Sequence, residues 1–277
     1  MRYDVLGIAV AAAWYAIAAP ARAHQPAAQG GQDERWSWHG SVAAGKTVEI
    51  RNINGSVSAD PASGTEVEVT ALKRAGRHGS PRDVQIRSEE REGGVRICVI
   101  YPGRNFEDGC AGRGQRGRSD DDDERGNRND TEVEFTVHVP RGVVLSGSTV
   151  NGDVVARDLS GPIEARSVNG GVEIETSAGD ATAQSVNGAV HAIVRGQGSE
   201  PLRFESVNGA VDVMLPRGLD ADLDAATVNG SITSDFEITI SGGLTMHRQR
   251  LNGRIGRGGR TLRVHTVNGS IRLRAAT

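Results

Sequence analysis

The sequence predicts an all-β chain whose C-terminal part, residues 146–277, stacks seven Asn-Gly-centred units into a parallel β-solenoid. The first observation is a recurring aliphatic-Asn-Gly tripeptide at Asn151-Gly152, Asn169-Gly170, Asn187-Gly188, Asn208-Gly209, Asn229-Gly230, Asn252-Gly253 and Asn268-Gly269, with an outlier at Asn54. Spacings of 18, 18, 21, 21, 23 and 16 residues are too regular for chance. The second is that flanking positions keep their character when the units are aligned on Asn. The third is composition: 4% aromatic residues and 37 glycines do not suit a conventional enzyme core, but they suit short stacked strands joined by tight corners.

In chain order, residues 1–23 read as a secretory signal peptide, with Arg2, an apolar run from Val5 to Ala19, and Ala21-Arg22-Ala23 as the cleavage site. An uncleaved anchor is the alternative, although the run falls short of the roughly 20 residues that span a bilayer. Residues 24–35 read as a flexible linker. Export places Cys98 and Cys110 in an oxidising compartment. A disulfide between them would close a loop of about a dozen residues and contribute on the order of 3 kcal/mol; a pair of free thiols is the alternative.

Residues 36–145 carry alternating strand-like stretches, among them Thr47–Arg51, Glu66–Thr70, Val84–Arg87 and Thr131–Val139, without the repeat's unit length. They read as an irregular β region of first coils plus a cap over the exposed edge. Residues 104–130 are almost wholly Gly, Arg, Asp, Asn and Glu and cannot offset their ordering entropy, so they read as a disordered polar insert.

Within the repeat, three columns read as a buried ladder. One precedes Asn (Val150, Val168, Val186, Val207, Val228, Leu251, Val267). One lies three residues after it (Val154, Val172, Val190, Val211, Ile232, Ile255, Ile271). One lies six before it (Leu145, Ile163, Ala181, Leu202, Leu223, Met246, Leu262). The position two before Asn is a hydroxyl residue in every unit except at Arg250, and the position four after it varies freely, as a water-facing column should. Asn and Gly both tolerate positive φ, which suits a corner, and stacked Asn amides can hydrogen-bond along the column. The competing fold is a hairpin meander or β-sandwich, because Asn-Gly is also the strongest type I′ turn signal. A hairpin would set Val168 against Gly171 and Val207 against Ala210, which gives the recurring aliphatic no role.

Repeated Ser-Val-Asn-Gly-x-Val units after an export signal and an irregular β region resemble the bacterial DUF4097 family, known as "putative adhesin". The resemblance covers most of residues 36–277. It implies a single-stranded β-helix with an envelope-associated, non-catalytic role, and it carries over no binding residues.

Motifs of catalysis are absent or out of context, so no cofactor or metal is expected. Gly40 to Thr47 matches the P-loop letters, but a strand-like stretch follows where a helix is required. Gly112, Gly114 and Gly117 satisfy G-x-G-x-x-G only inside the polar insert, and Asp120 to Glu124 lacks the alternating spacing of a Ca²⁺ loop. His191 and His265 fall in variable columns. The enzymatic alternative is a β-helix carbohydrate-active enzyme, a polysaccharide hydrolase or lyase, using Glu173, Glu175, Glu205 and Asp212. Arg166 and Arg203 among them suit ion pairs instead.

A formal charge of -3, with 32 basic residues matched by 35 acidic ones, argues against nucleic acid, and no nucleotide is expected. The expected partner is a periplasmic or cell-surface envelope component, glycan or protein, contacted through the solenoid's flank. Self-association through the C-terminal coil is a further expectation, since no cap is evident beyond Gly269.

Overall fold

The computed structural model describes residues 33–102, 110, 129–240 and 249–276. Residues 1–23, read as a signal peptide, most of the expected linker, most of the expected disordered insert and Met246 lie outside the described residues. Among those described, a 3-10 turn spans Pro81–Asp83 and Cys110 also has 3-10 geometry; the strands form two large mixed sheets. The ten-stranded sheet runs in space as β1 (Glu34–Ser41), β4 (Glu66–Arg74), β7 (Glu132–Val139), β3 (Val57–Pro61), β9 (Val154–Leu159), β11 (Val172–Thr176), β13 (Val190–Val194), β15 (Val211–Leu215), β21 (Ile271–Ala275), β17 (Ile232–Ser234). The eleven-stranded sheet runs as β18 (Ile238–Ile240), β19 (Gln249–Ile255), β16 (Ala221–Thr227), β20 (Arg260–His265), β14 (Leu202–Ser206), β12 (Ala181–Ser185), β10 (Ile163–Asn169), β8 (Val144–Asn151), β2 (Thr47–Arg51), β6 (Gly94–Ile100), β5 (Gln85–Arg91).

Period-two alternation explains both sheets. Around Asn169, Ile163, Ala165 and Ser167 are buried between outward Glu164 and Arg166; past the corner, Val172, Ile174 and Thr176 are buried between outward Glu173 and Glu175. The chain thus lays one strand in the eleven-stranded sheet, turns at Asn-Gly, and lays the next in the ten-stranded sheet. Inward residues of both form one core. Gly147 makes room for the facing sheet, since a Cβ there would lie 3.1 Å from Val154 Cγ1. From β8/β9 to β14/β15 each strand pairs in parallel with its equivalent one unit on, Ile163 with Ala181 and Val172 with Val190. The Asn-Gly pairs therefore do not close hairpins.

A two-strand layer is here called a rung. The rungs stack as β6/β7, β2/β3, β8/β9, β10/β11, β12/β13, β14/β15, β20/β21 and β16/β17, so chain order is left at both ends. Antiparallel strands flank three of the four stack edges, β4 and β1 beyond β7, β5 beyond β6, and β19 and β18 beyond β16, while β17 ends the ten-stranded sheet.

The corner departs from the sequence reading in three ways. First, Val150, Val168, Val186, Val207, Val228 and Val267 are 38 to 41% exposed and are not part of the buried ladder. Inward positions fall six, four and two before Asn, so the hydroxyl column points in and the valine column points out. Each buried hydroxyl donates to the glycine carbonyl of the rung before it: Ser167 Oγ to Gly152 O at 2.7 Å, Ser185 Oγ to Gly170 O at 2.8 Å, Ser206 Oγ to Gly188 O at 2.8 Å. Second, of the corner glycines only Gly55 and Gly152 have positive φ. At Gly170, Gly188, Gly209, Gly230 and Gly269 a Cβ would instead collide with the glycine carbonyl of the preceding rung, so it is close approach that requires glycine. Third, Asn252-Gly253 is no corner; it lies inside β19, with Asn252 opposite Asp224. Asn54 takes the place in the stack instead, bridged to Asn151.

The N-terminal region is less irregular than its sequence suggests, since β2/β3 and β6/β7 are full rungs. Glu34 and Arg35, read as linker, already belong to β1. The last residues of the polar insert are anchored, with Asp130 accepting the backbone N–H groups of Arg77 and His78. The C-terminal coil is not an open end, because β20 lies between β14 and β16 and β21 between β15 and β17.

Phe204 is fully buried beside Ala183, the small residue at its register position on β12. Phe204→Ala is expected to cost about 3–5 kcal/mol in chemical denaturation. Ser185→Ala, which strands the Gly170 carbonyl, is expected to cost about 1–3 kcal/mol in the same measurement.

Candidate functional site

Because the hydroxyl column turns inward and the next residue turns outward, the corner edge carries a continuous ridge. Ile53, Val150, Val168, Val186, Val207, Val267 and Val228 follow one another rung by rung, spaced by the ~4.8 Å between strands. Beside them runs an unbroken amide ladder. Each Asn Nδ2 donates to the Oδ1 of the preceding Asn, from Asn54 through Asn151, Asn169, Asn187, Asn208 and Asn268 to Asn229, at 2.7 to 2.9 Å. A ladder uses one N–H and one lone pair of each interior amide and leaves the second of each for the outside. Beyond the glycines come Ser56, Asp153, Gly171, Ala189, Ala210, Ser270 and Ser231, so one carboxylate interrupts an otherwise uncharged strip. Asp153 is itself engaged, accepting the Gly171 N–H at 2.7 Å.

The edge where the ridge begins is also where β6 ends and β7 starts. The described residues at this edge are fastened to their neighbours. Cys98 and Cys110 form a disulfide, the Cys110 N–H donates to Glu89 Oε1 at 2.8 Å, and Tyr101 Oη donates to the Thr131 carbonyl at 2.6 Å. The Cys110 N–H and then Arg91 hold the Glu89 carboxyl below its ordinary value. Burial pushes the Tyr101 phenol up to about 12, although hydrogen bonds with Asn54 pull the other way. Burial would also raise the Glu49 carboxyl, but hydrogen bonds from Arg96 and Arg51 outweigh it and leave it lowered. Asn52, at the hydroxyl position of its rung, donates Nδ2 to Val133 O at 2.7 Å and to Gly55 O at 2.9 Å, joining the first two rungs.

Of the four carboxylates considered for glycan chemistry, three share one depression and each of these has an arginine beside it. Glu173, Glu175 and Asp212 border a depression of about 220 Å³ with His191 and Arg274, whereas Glu205 lies on the other sheet. Arg274 Nε donates to Asp212 Oδ1 at 2.7 Å, Arg195 pairs with Glu175, and Arg157 Nε lies 3.6 Å from Glu173. Glu205 accepts from Gln184 at 2.7 Å, with Arg203 at 3.7 Å. His265 lies 3.2 Å from Asp224. Among the described residues no group of three or more His, Cys, Asp or Glu side chains is arranged to hold a metal ion. The P-loop-like stretch joins β1 to β2, where Lys46 Nζ donates to Glu92 O. The glycine-rich motif at 112–117 and the acidic run at 120–124 lie outside the described residues.

Sequence reading missed the ridge because it treated the valines as core. The parity of the columns six and two before Asn was the signal that places them outside.

Comparison with known proteins gives one family match, to the model described as Toastrack DUF4097, over residues 127–274. Among solved structures the chain is similar to a putative cell adhesion protein from Clostridium sporogenes, at 13% identity and TM-score 0.44, over 88% of this chain and 100% of that one. It is also similar to a putative adhesin from Bacteroides fragilis, at 11% identity and TM-score 0.37, over 88% and 97% of the two chains. No curated protein matches.

The folded chain holds the Tyr101 proton to about 12, whereas an exposed phenol releases it near 10. This contribution to stability is complete below the unfolded value and is lost as pH rises through the folded one. Alkaline titration of tyrosinate absorbance is expected to show a step near 12 that Tyr101→Phe removes.

Proposed function

This chain belongs to the Toastrack DUF4097 family, and from that premise we propose that it is an exported, non-enzymatic envelope module that binds through its valine–asparagine ridge. The parallel rungs are read as a two-sheet solenoid, a rigid rod that holds the ridge straight over ~30 Å, six strand spacings of ~4.8 Å. The observation that carries the reading is the row of six valines, each 38 to 41% exposed, in a strip nearly free of charge. Folding asks only for a small strand-forming residue at an outward position, and threonine would serve and be wetter. A continuous exposed apolar strip bordered by polar groups marks an interaction site. Amide groups repeating at a fixed spacing suit an extended envelope polymer, a cell-wall glycan chain or a peptide, lying along the rod.

Export rests on the signal-like residues 1–23 and is supported by the Cys98–Cys110 disulfide, which persists in an oxidising compartment. The carbohydrate-active alternative draws on the depression at Glu173 and Asp212, but an arginine lies against each of those carboxylates.

Co-sedimentation with purified peptidoglycan sacculi and with envelope vesicles tests the reading. Replacing Val168, Val186 and Val207 together with threonine is expected to weaken capture at least tenfold while leaving the melting curve nearly unchanged. Glu173→Gln with Asp212→Asn is expected to bind as the parent does. Undiminished capture by the triple valine variant would overturn the ridge as the binding surface.

A further inference from the structure

The C-terminal rung fills a gap in the stack instead of extending it. After β15 the chain passes over one rung position to build β16/β17, adds β18 and β19 beyond, and returns to lay β20/β21 in the vacant place. The returning segment meets identical chemistry on both sides. Leu262 registers with Leu202 on one flank and Leu223 on the other, and Ile271 with Val211 and Ile232. Asn268 Nδ2 donates to Asn208 Oδ1 while Asn229 Nδ2 donates to Asn268 Oδ1, both at 2.7 Å. Thr266 Oγ1 donates to Gly209 O, and Thr227 Oγ1 to Gly269 O. Residues 260–275 are thus a plug in a slot whose four walls are open strand edges.

The plug hangs on a hinge. Between β19 and β20, Gly256, Gly258 and Gly259 all have positive φ, at 59°, 77° and 133°. This link crosses the start of β16, where two carboxylates hold it. Asp220 accepts the Arg257 backbone N–H at 2.7 Å and the Arg257 Nε at 2.9 Å, and Asp222 accepts the Gly259 N–H at 3.3 Å. Insertion also has a cost. The Arg260 side chain, at 6% exposure, donates Nη2 to Gly179 O and sets Nη1 3.9 Å from Asp180 Oδ1, but its buried Nε and Nη1 make no hydrogen bond. Every contact made by the plug is one that the plug of another molecule would make equally well.

We propose that residues 260–275 exchange between two copies of this chain, each plug swinging out at 256–259 and filling the slot of the other to give a reciprocally swapped dimer. The slot specifies its occupant, since a segment must present leucine, threonine, asparagine and isoleucine at the rung spacings, and a second copy carries such a segment on a glycine hinge. This inference is independent of the ridge.

The test uses the full chain carrying Glu205→Cys and His265→Cys, register partners on the outer face of β14 and β20. The protein is concentrated, held at the onset of thermal unfolding, cooled and then oxidised. Non-reducing electrophoresis is expected to show a covalent dimer, at least tenfold less when the pair is first oxidised in dilute monomer. The unsubstituted chain is expected to form the same dimer by light scattering. Gly258→Pro, which cannot hold φ near 77°, should raise its yield several-fold. A chain that stays monomeric throughout, or one that dimerises equally after prior oxidation, overturns the proposal.

Discussion

At each Asn-Gly corner the backbone of one rung lies so close to the rung before it that a side chain at glycine would overlap a carbonyl oxygen. The rest of the structure follows from that approach. The carbonyl faces the core and needs a donor there, which the serine or threonine two residues before Asn supplies. The asparagine amide meets its equivalent and closes the ladder. The residue between hydroxyl and asparagine is then turned outward by alternation, and a valine in that place becomes part of a ridge. Corner chemistry and surface chemistry are one constraint seen from two sides.

A stack of parallel strands leaves two open sheet edges at each end, a hazard for uncontrolled pairing. This chain meets it at three of the four edges by folding back, so that antiparallel strands follow β6, β7 and β16, and it leaves only the three-residue β17 at the edge of the ten-stranded sheet. The outer faces carry ion pairs such as Arg74–Glu134 and Arg250–Asp224. Exposed pairs of this kind contribute about 0–1 kcal/mol each. Stability rests on the aliphatic interior and on the corners.

Much of the interior was legible in the sequence. The columns six before and three after Asn are buried in rungs β8/β9 to β14/β15 because strand alternation is local and the core selects for it. The valine column was misread because apolar character was taken for burial, when the hydroxyl beside it occupies the inward parity. Asn252 was misread for a related reason. Leu251-Asn252-Gly253 has the letters of a corner, but its strand runs antiparallel to β16 and no glycine carbonyl stacks beneath it.

By itself the sequence determined the unit: its length, its inward and outward positions, and the glycine and asparagine at its corner, all of which depend on neighbours a few residues away. Only the tertiary structure decided how the units are ordered. Because the rungs of Asn208, Asn268 and Asn229 offer the same leucine, hydroxyl, asparagine and valine or isoleucine columns, no local preference distinguishes Asn229 from Asn268 as the successor of Asn208. The choice is made by connector length and by the β19 return, and its outcome is that the last rung lies inside the stack and the valine ridge runs unbroken past it.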